Sequence, residues 1–110
     1  MIILDLTNVA LPRVNDRYNK NFSLTKSYRE GKENLKIEIV KQCGNLKVNP
    51  PHYMDIQVGT YLDIDSFLKP LFDAMQESGL IKNDKDILQV NIVKTALKRN
   101  EPNWIKVFLA

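Results

Sequence analysis

The stretch that decides the fold is residues 60–94, TYLDIDSFLKPLFDAMQESGLIKNDKDILQVNIVK. It predicts the end of a strand, a polar turn, a helix, a second turn and a second strand. Apolar residues at helical spacing predict the helix; they are Ile64, Phe67, Leu68, Leu71 and Met75. Pro70 favours a helix that begins close to Asp65, because a proline in the first turn loses no hydrogen bond. Gly79 is the expected end of this helix.

Three aspartates stand at the two ends of that helix, Asp63 and Asp65 before it and Asp84 after it. Asp63 and Asp65 are two residues apart, so they point the same way in an extended segment. Lys69 follows Asp65 by one helical turn. Asp84 joins the other acids only if the next strand runs back beside the preceding one, which we assume at this point. Clustered carboxylates repel each other by about 3 kcal/mol per pair at ~5 Å and an effective dielectric constant near 20.

Such a cluster requires a proton or a divalent cation. Oxygen ligands around an open position favour Mg²⁺, with Mn²⁺ as the alternative, over Zn²⁺. The cation would activate water and stabilise charge on a phosphoryl oxygen, and Lys69 would neutralise developing negative charge. Asp73, four residues after Lys69, would orient its ammonium group. A structural interpretation stays open, because Asp and Ser before a helix are also ordinary N-caps.

The whole chain, residues 1–110, is expected to form a single domain. Its hydrophobic content of 44% is ordinary for a globular protein. No apolar run reaches the roughly 18 residues of a membrane helix, and no signal peptide is expected. The lone Cys43 cannot form an internal disulfide, so a cytoplasmic location is expected. The net charge of +3 is too small to establish nucleic-acid binding by itself.

Alternating apolar residues predict four strands, at residues 1–8, 52–62, 87–97 and 104–110. A first helix is expected at residues 27–42. The order β-α-β-α-β-β indicates an α+β domain, a mixed four-stranded sheet with two helices packed on it. Residues 98–103 are interpreted as a polar hairpin turn.

Two strands carry informative side chains. In the third strand, Leu88, Val90 and Ile92 are expected to share one face. In the fourth, Trp104 and Phe108 lie opposite the core-facing residues, which suggests either a dimer surface or a second packing layer.

The basic residues form two groups. Residues 13–28 are interpreted as a DNA-contacting loop, in which cations bind phosphates and aromatic rings pack on bases or sugars; its cations are Arg13, Arg17, Lys20 and Lys26, beside Tyr18. A second group of candidate phosphate contacts is Lys94, Lys98 and Arg99. An ordinary solvated loop and turn are the alternatives.

Residues 63–94 resemble the RusA family of Holliday-junction resolvases. That family carries D-x-D-N-x-x-K, then F-D-A, a glycine, a D-D pair and a lysine that closes the next strand. The matching positions here are Asp63, Asp65, Lys69, residues 72–74, Gly79, Asp84 and Lys94. Two positions depart from the pattern, since Ser66 replaces the usual asparagine and Asn83 replaces the first acid of the pair. Asn15, Arg17 and Tyr18 also resemble an N-N-R-Y segment of the family.

The resemblance implies that Asp63, Asp65 and Asp84 hold Mg²⁺ and act in catalysis with Lys69. It also implies a homodimer, because a four-way junction has approximate two-fold symmetry and two opposite strands must be cut. The expected function is therefore resolution of four-way DNA junctions in recombination and repair. Two alternatives remain: a non-catalytic nucleic-acid-binding module of the same fold, and a nuclease for another branched or single-stranded substrate.

Overall fold

The structure is a computed structural model that describes residues 1–7 and 26–110. Within them it contains β1 (Ile2–Asp5), α1 (Lys26–Cys43), β2 (His52–Thr60), α2 (Leu68–Glu77), β3 (Ile87–Ala96) and β4 (Trp104–Leu109). A short 3₁₀ turn, Asp84–Asp86, precedes β3. The expected α+β class, a mixed four-stranded sheet with two helices, is confirmed.

The strands lie in the order β1-β4-β2-β3. β2 is central, with β3 parallel on one side and β4 antiparallel on the other. β1 pairs with β4 in the antiparallel direction. The prediction of a hairpin at residues 98–103 is wrong, because β2 separates β3 from β4 and the chain crosses the end of β2 instead. A hairpin requires two adjacent antiparallel strands.

The core lies between the two helices and one face of the sheet. Alternate residues of β2 and β4 are buried there, as the sequence predicts. The buried side chains include Leu4, Leu6, Leu35, Ile39, Met54, Ile56, Val58, Leu71, Met75, Ile105, Val107 and Leu109. Both helices cover this single face, so neither of them covers the opposite face of the sheet.

The helix α2 begins at Leu68, later than expected. Pro70 lies in its first turn, where the absent N–H has no intrahelical partner. Residues 64–67 form a turn instead of helix, so Ile64 is exposed and its predicted place in the apolar stripe is wrong. Gly79 ends the helix with φ of +84°, as predicted.

A β-bulge in β3 changes the face of one residue. His52 is opposite Ile87, and Tyr53 is opposite Gln89, so Leu88 is the extra residue. Its side chain is 65% exposed, while Ile87, like Val90 and Ile92 further along, packs against the core. The prediction that Leu88 shares the core-facing side is therefore wrong, because a bulge shifts the two-residue alternation by one.

The open face of the sheet is organised by Trp104, which lies across Gly59 on the neighbouring strand. A Cβ atom on Gly59 would stand 2.0 Å from the Nε1 atom of Trp104. The ammonium of Lys106 lies 6.0 Å from the centroid of the Trp104 ring. Among residues 1–7 and 26–110, no second layer covers this face, since Tyr53 and Val93 are exposed there. The two-layer alternative for this surface thus finds no support in the described part of the chain.

We predict that Gly59→Ala lowers the free energy of unfolding by about 1–3 kcal/mol, the usual effect of overpacking. The added methyl would force Trp104 off β2. Urea denaturation followed by circular dichroism measures the change. In a Trp104→Leu background the same substitution should cost much less, and an equal cost in both backgrounds would contradict the steric explanation.

Candidate active site at the carboxyl end of β2

Asp63 and Asp65 lie on a turn that leaves the carboxyl end of β2, residues 61–67, which we call the acid turn. Its backbone is closed by local hydrogen bonds. The N–H of Leu62 donates to the Thr60 hydroxyl at 3.0 Å, and the N–H of Ser66 donates to the carbonyl of Asp63 at 3.1 Å. These bonds give the turn a defined shape before α2 begins.

The end of β3 holds the beginning of the acid turn. The N–H of Leu97 donates to the carbonyl of Thr60 at 3.0 Å. The ammonium of Lys94 donates to the carbonyl of Leu62 at 2.5 Å. Lys94 lies 32 positions after Leu62 in the sequence. Since Leu62 directly precedes Asp63, the position of the first acid depends on this distant residue.

The two carboxylates are exposed and chemically available. No hydrogen bond from the described residues reaches the side chain of Asp63 or Asp65. Lys69 stands in the first turn of α2, and its ammonium pairs with Asp73 at 3.0 Å. The contact expected between Lys69 and Asp73 is thus present, and the role of Asp73 in orienting Lys69 for catalysis stays a prediction.

Asp84 lies at the other end of the sheet. It precedes β3, whose start is opposite the start of β2, whereas Asp63 follows the end of β2. Its backbone N–H donates a hydrogen bond to the side-chain Oε1 atom of Gln76, near the end of α2, at 3.0 Å. The ten residues of α2 therefore separate Asp84 from the acid turn, a distance of at least roughly 15 Å.

The expected convergence of three acids is consequently absent within one chain. In the described ranges no three His, Cys, Asp or Glu side chains form a group that would hold a metal ion. The reason is the parallel direction of β3: the assumed neighbour relation of the two strands exists, but it brings the end of β3 to the acid turn instead of its start. Lys94, not Asp84, occupies that place.

The candidate DNA contacts divide between the two ends of the molecule. Lys98 and Arg99 are exposed and follow Leu97, which is bonded to Thr60, so they lie beside the acid turn. Lys26 begins α1 and pairs weakly with Glu30 at 3.8 Å. The end of α1 is tied to β1 through Gln42 and Asp5, so the 18 residues of α1 place Lys26 roughly 25 Å from that contact. The remaining predicted contacts, Arg13, Asn15, Arg17, Tyr18 and Lys20, lie outside the described residues.

Sequence reasoning missed two contributors to the site. Thr60 is completely buried, and its hydroxyl accepts the Leu62 N–H. A threonine at the end of a strand, two residues before a turn amide, is a recognisable signal for this contact. The bond from Lys94 to the Leu62 carbonyl has no comparable local signal, because it depends on the pairing of β2 with β3.

Comparison with known proteins gives a partial match. No family model matches the chain. Over 45 residues the chain is 47% identical to the crossover junction endodeoxyribonuclease RusA of Aquifex aeolicus (strain VF5). The matched segment covers 41% of this chain and 36% of that protein, so it spans little more than a third of the relative's length. This similarity suggests the RusA family.

A separate finding concerns membranes. None of the helices in the described part of the chain has the length and apolar character needed to cross a bilayer.

We predict that Asp73→Asn changes the stability of the fold by only about 0.5 kcal/mol, because both partners of the Lys69 ion pair reach solvent. Urea denaturation of the single variants and of the double variant with Lys69→Met gives the coupling energy. A coupling above about 1.5 kcal/mol would mean that the pair is shielded from water, contrary to the exposure observed.

Proposed function

We propose that this protein is a metal-dependent endonuclease that resolves four-way DNA junctions, acting as a homodimer in recombination and repair. The observation that carries the proposal is the acid turn, where Asp63 and Asp65 have no partner among the described residues and lie beside a helix that carries Lys69. The partial similarity to a junction-resolving nuclease of Aquifex aeolicus supports the choice of substrate. Two copies related by two-fold symmetry would supply the paired cuts that a symmetric junction requires.

The donor set of the acid turn fits a hard divalent cation. The backbone carbonyls of Leu62, Asp63 and Asp65 accept hydrogen bonds, whereas no described residue bonds to the carboxylate oxygens of Asp63 and Asp65, so we assign these oxygens as the ligands. Mg²⁺ is commonly bound by one or two carboxylates, with waters and substrate phosphate oxygens completing its octahedron. Asp63 and Asp65 would therefore hold Mg²⁺, or Mn²⁺ in its place. When bound, this cation supplies Lewis-acid activation of water and of the phosphodiester.

The protein's own residues perform the remaining tasks. Lys69 would place its ammonium on the phosphoryl oxygen that gains charge as the phosphorus becomes five-coordinate. Asp73 would orient that ammonium through its ion pair with Lys69. Hydrolysis forms a P–O bond from water, which gives up a proton to solvent, and breaks one P–O bond of the backbone, whose leaving oxygen takes a proton from solvent to become a hydroxyl.

Exposed cations beside the acid turn would hold the substrate. Lys98 and Arg99 lie at the same end of the sheet as Asp63 and would bind phosphates that flank the cut. Such contacts position DNA without reading its sequence. A preference for junctions over linear duplex must therefore come from the shape of the DNA and from the dimer.

We expect Asp65→Asn to reduce cleavage at least 100-fold, about the effect of losing a ligand of a catalytic cation, and to keep or strengthen junction binding. Removal of a negative charge next to the scissile phosphate favours the bound DNA. Cleavage is measured on a synthetic mobile four-way junction in Mg²⁺ and in EDTA, beside linear duplex of the same arms, and binding is measured in EDTA by mobility shift.

Asp86→Asn is the matched control, since Asp86 lies in the 3₁₀ turn at the opposite end of the sheet. It should cut like the wild type. Parallel loss of binding and cleavage in Asp65→Asn would count against the proposed role. Tight junction binding by the wild type, with no nicks in Mg²⁺ or Mn²⁺, would instead support the non-catalytic binding module, and cleavage of other branched or single-stranded DNA would support the third alternative.

Asp84 requires a separate test, because the fold of one chain keeps it away from the acid turn. It can act as a third ligand only when it comes from the other subunit of the dimer. Mixed dimers of Asp65→Asn and Asp84→Asn distinguish the two arrangements. When Asp84 acts across the interface, one of the two sites in such a dimer is intact, and we expect single nicks from the mixture although each variant alone is inactive.

The complementation assay uses the two variants mixed after refolding from urea, with each variant treated alone as the control. Absence of activity in the mixture, together with inactivity of Asp84→Asn, would exclude a shared site. Full activity of Asp84→Asn alone would remove Asp84 from the mechanism and leave a site with two carboxylates.

A further inference from the structure

Lys94 is placed to control the shape of the acid turn. It lies near the end of β3, directly opposite Val58 of β2. Its ammonium is bonded to the carbonyl of Leu62, although the residue as a whole is exposed. A lysine side chain has several rotatable bonds and loses much conformational freedom when it is held in this way. The contact therefore holds the Leu62 carbonyl in one position, which an ammonium bonded only to water would not do.

The contact continues the sheet past its last backbone pair. The ladder between β2 and β3 ends at Thr60 opposite Ala96, and the Leu97 N–H adds one bond to the carbonyl of Thr60. The carbonyl of Leu62 lies beyond this ladder, so no strand amide is available to it. Lys94 supplies the missing donor from a side chain.

Two hydrogen bonds then fix the backbone on either side of the first acid. Lys94 holds the carbonyl that precedes Asp63, and the N–H of Ser66 holds the carbonyl of Asp63 itself. The N–H of Leu68 donates a hydrogen bond to the carbonyl of Asp65 at 3.3 Å. Both carboxylates thus leave a segment whose backbone is held at its start by β3 and at its end by α2.

The charge of Lys94 acts in the same direction. The ammonium of Lys94, bonded to the carbonyl next to Asp63, carries a full positive charge. This charge partly offsets the repulsion between Asp63 and Asp65, which lie two residues apart. It does so without occupying the carboxylate oxygens, because the ammonium is bonded to the backbone. The two acids remain free to bind a cation.

We propose that Lys94 is a positioning residue that sets the geometry of Asp63 and Asp65 through the Leu62 carbonyl, and that it is not a phosphate contact. This inference rests on the proposed function of the acid turn. It assigns the two neighbouring lysines different tasks, since Lys98 is exposed and, within residues 1–7 and 26–110, its side chain makes no hydrogen bond with the backbone of the acid turn. Residues that orient metal ligands typically change metal affinity by 10- to 100-fold when they are removed.

The test compares Lys94→Met with Lys98→Met, which remove the same charge at the same end of the sheet. For Lys94→Met we expect Mn²⁺ affinity, measured by calorimetry without DNA, to fall about tenfold or more, and junction affinity in EDTA to stay within about twofold of the wild type. For Lys98→Met we expect the reverse pattern. Lys94→Arg, which retains a donor, should recover part of the Mn²⁺ affinity.

Amide hydrogen exchange provides a readout that does not depend on activity. The amides of Ser66 and Leu68 donate the hydrogen bonds that close the acid turn. Their exchange rates should therefore rise in Lys94→Met and stay at the wild-type value in Lys98→Met. Thermal unfolding of both variants shows whether the whole fold is intact. Lys94→Met would have to melt as a folded protein for the Mn²⁺ comparison, and Lys94→Ala, which also removes the donor, serves in its place when it does not.

The outcomes separate the inference from the proposed function. Lower junction affinity of Lys94→Met in EDTA, with unchanged Mn²⁺ affinity and unchanged exchange at Ser66, would overturn the inference and make Lys94 a phosphate contact. Faster exchange in Lys94→Met, in a protein whose wild type neither binds Mn²⁺ nor cuts DNA, would overturn the proposed function and leave Lys94 holding a turn that has no catalytic task.

Discussion

The parallel pairing of β2 with β3 is the constraint on which the rest of the structure depends. It makes β2 the central strand, with β4 on its other side, and it requires α2 to carry the chain back along the sheet. The same pairing decides what surrounds the acid turn. The carboxyl ends of two parallel strands meet at one edge, so the residues that follow Thr60 contact those at the end of β3.

This constraint keeps apart some residues that are near each other in the sequence, and it brings together others that are further apart. Asp84 is 19 positions from Asp65 in the numbering of the chain, yet it stands at the far end of α2. Lys94 is further along the chain and reaches the Leu62 carbonyl. The two carboxylates of the acid turn and the nearby cations thus belong to one sheet edge, and among the described residues Asp84 does not join them within one chain.

Electrostatics at the acid turn follow from the way in which the cations are held. Lys69 is tied to Asp73 and Lys94 to a carbonyl, and neither bond uses an oxygen of Asp63 or Asp65. The turn therefore combines two anionic side chains, which no residue in the described part of the chain pairs with, and two lysines that are held nearby. This arrangement reduces the repulsion of the acids and leaves their oxygens available to other groups.

The sequence by itself determined the elements, their order and the class of the fold, because the spacing of apolar residues reflects which side of each helix or strand is buried. It also determined the neighbourhood of Asp63, Asp65, Lys69 and Asp73, since these residues are linked by a short turn and one helical repeat. Local spacing contains no information on which strand edges meet. Only the tertiary structure decided the position of β2 between β3 and β4, the bulge at Leu88, the packing of Trp104 on Gly59, the separation of Asp84 and the bond from Lys94 to Leu62. Each of these depends on backbone pairing between segments distant in the chain, and the free energy of that pairing comes from the whole sheet and its core.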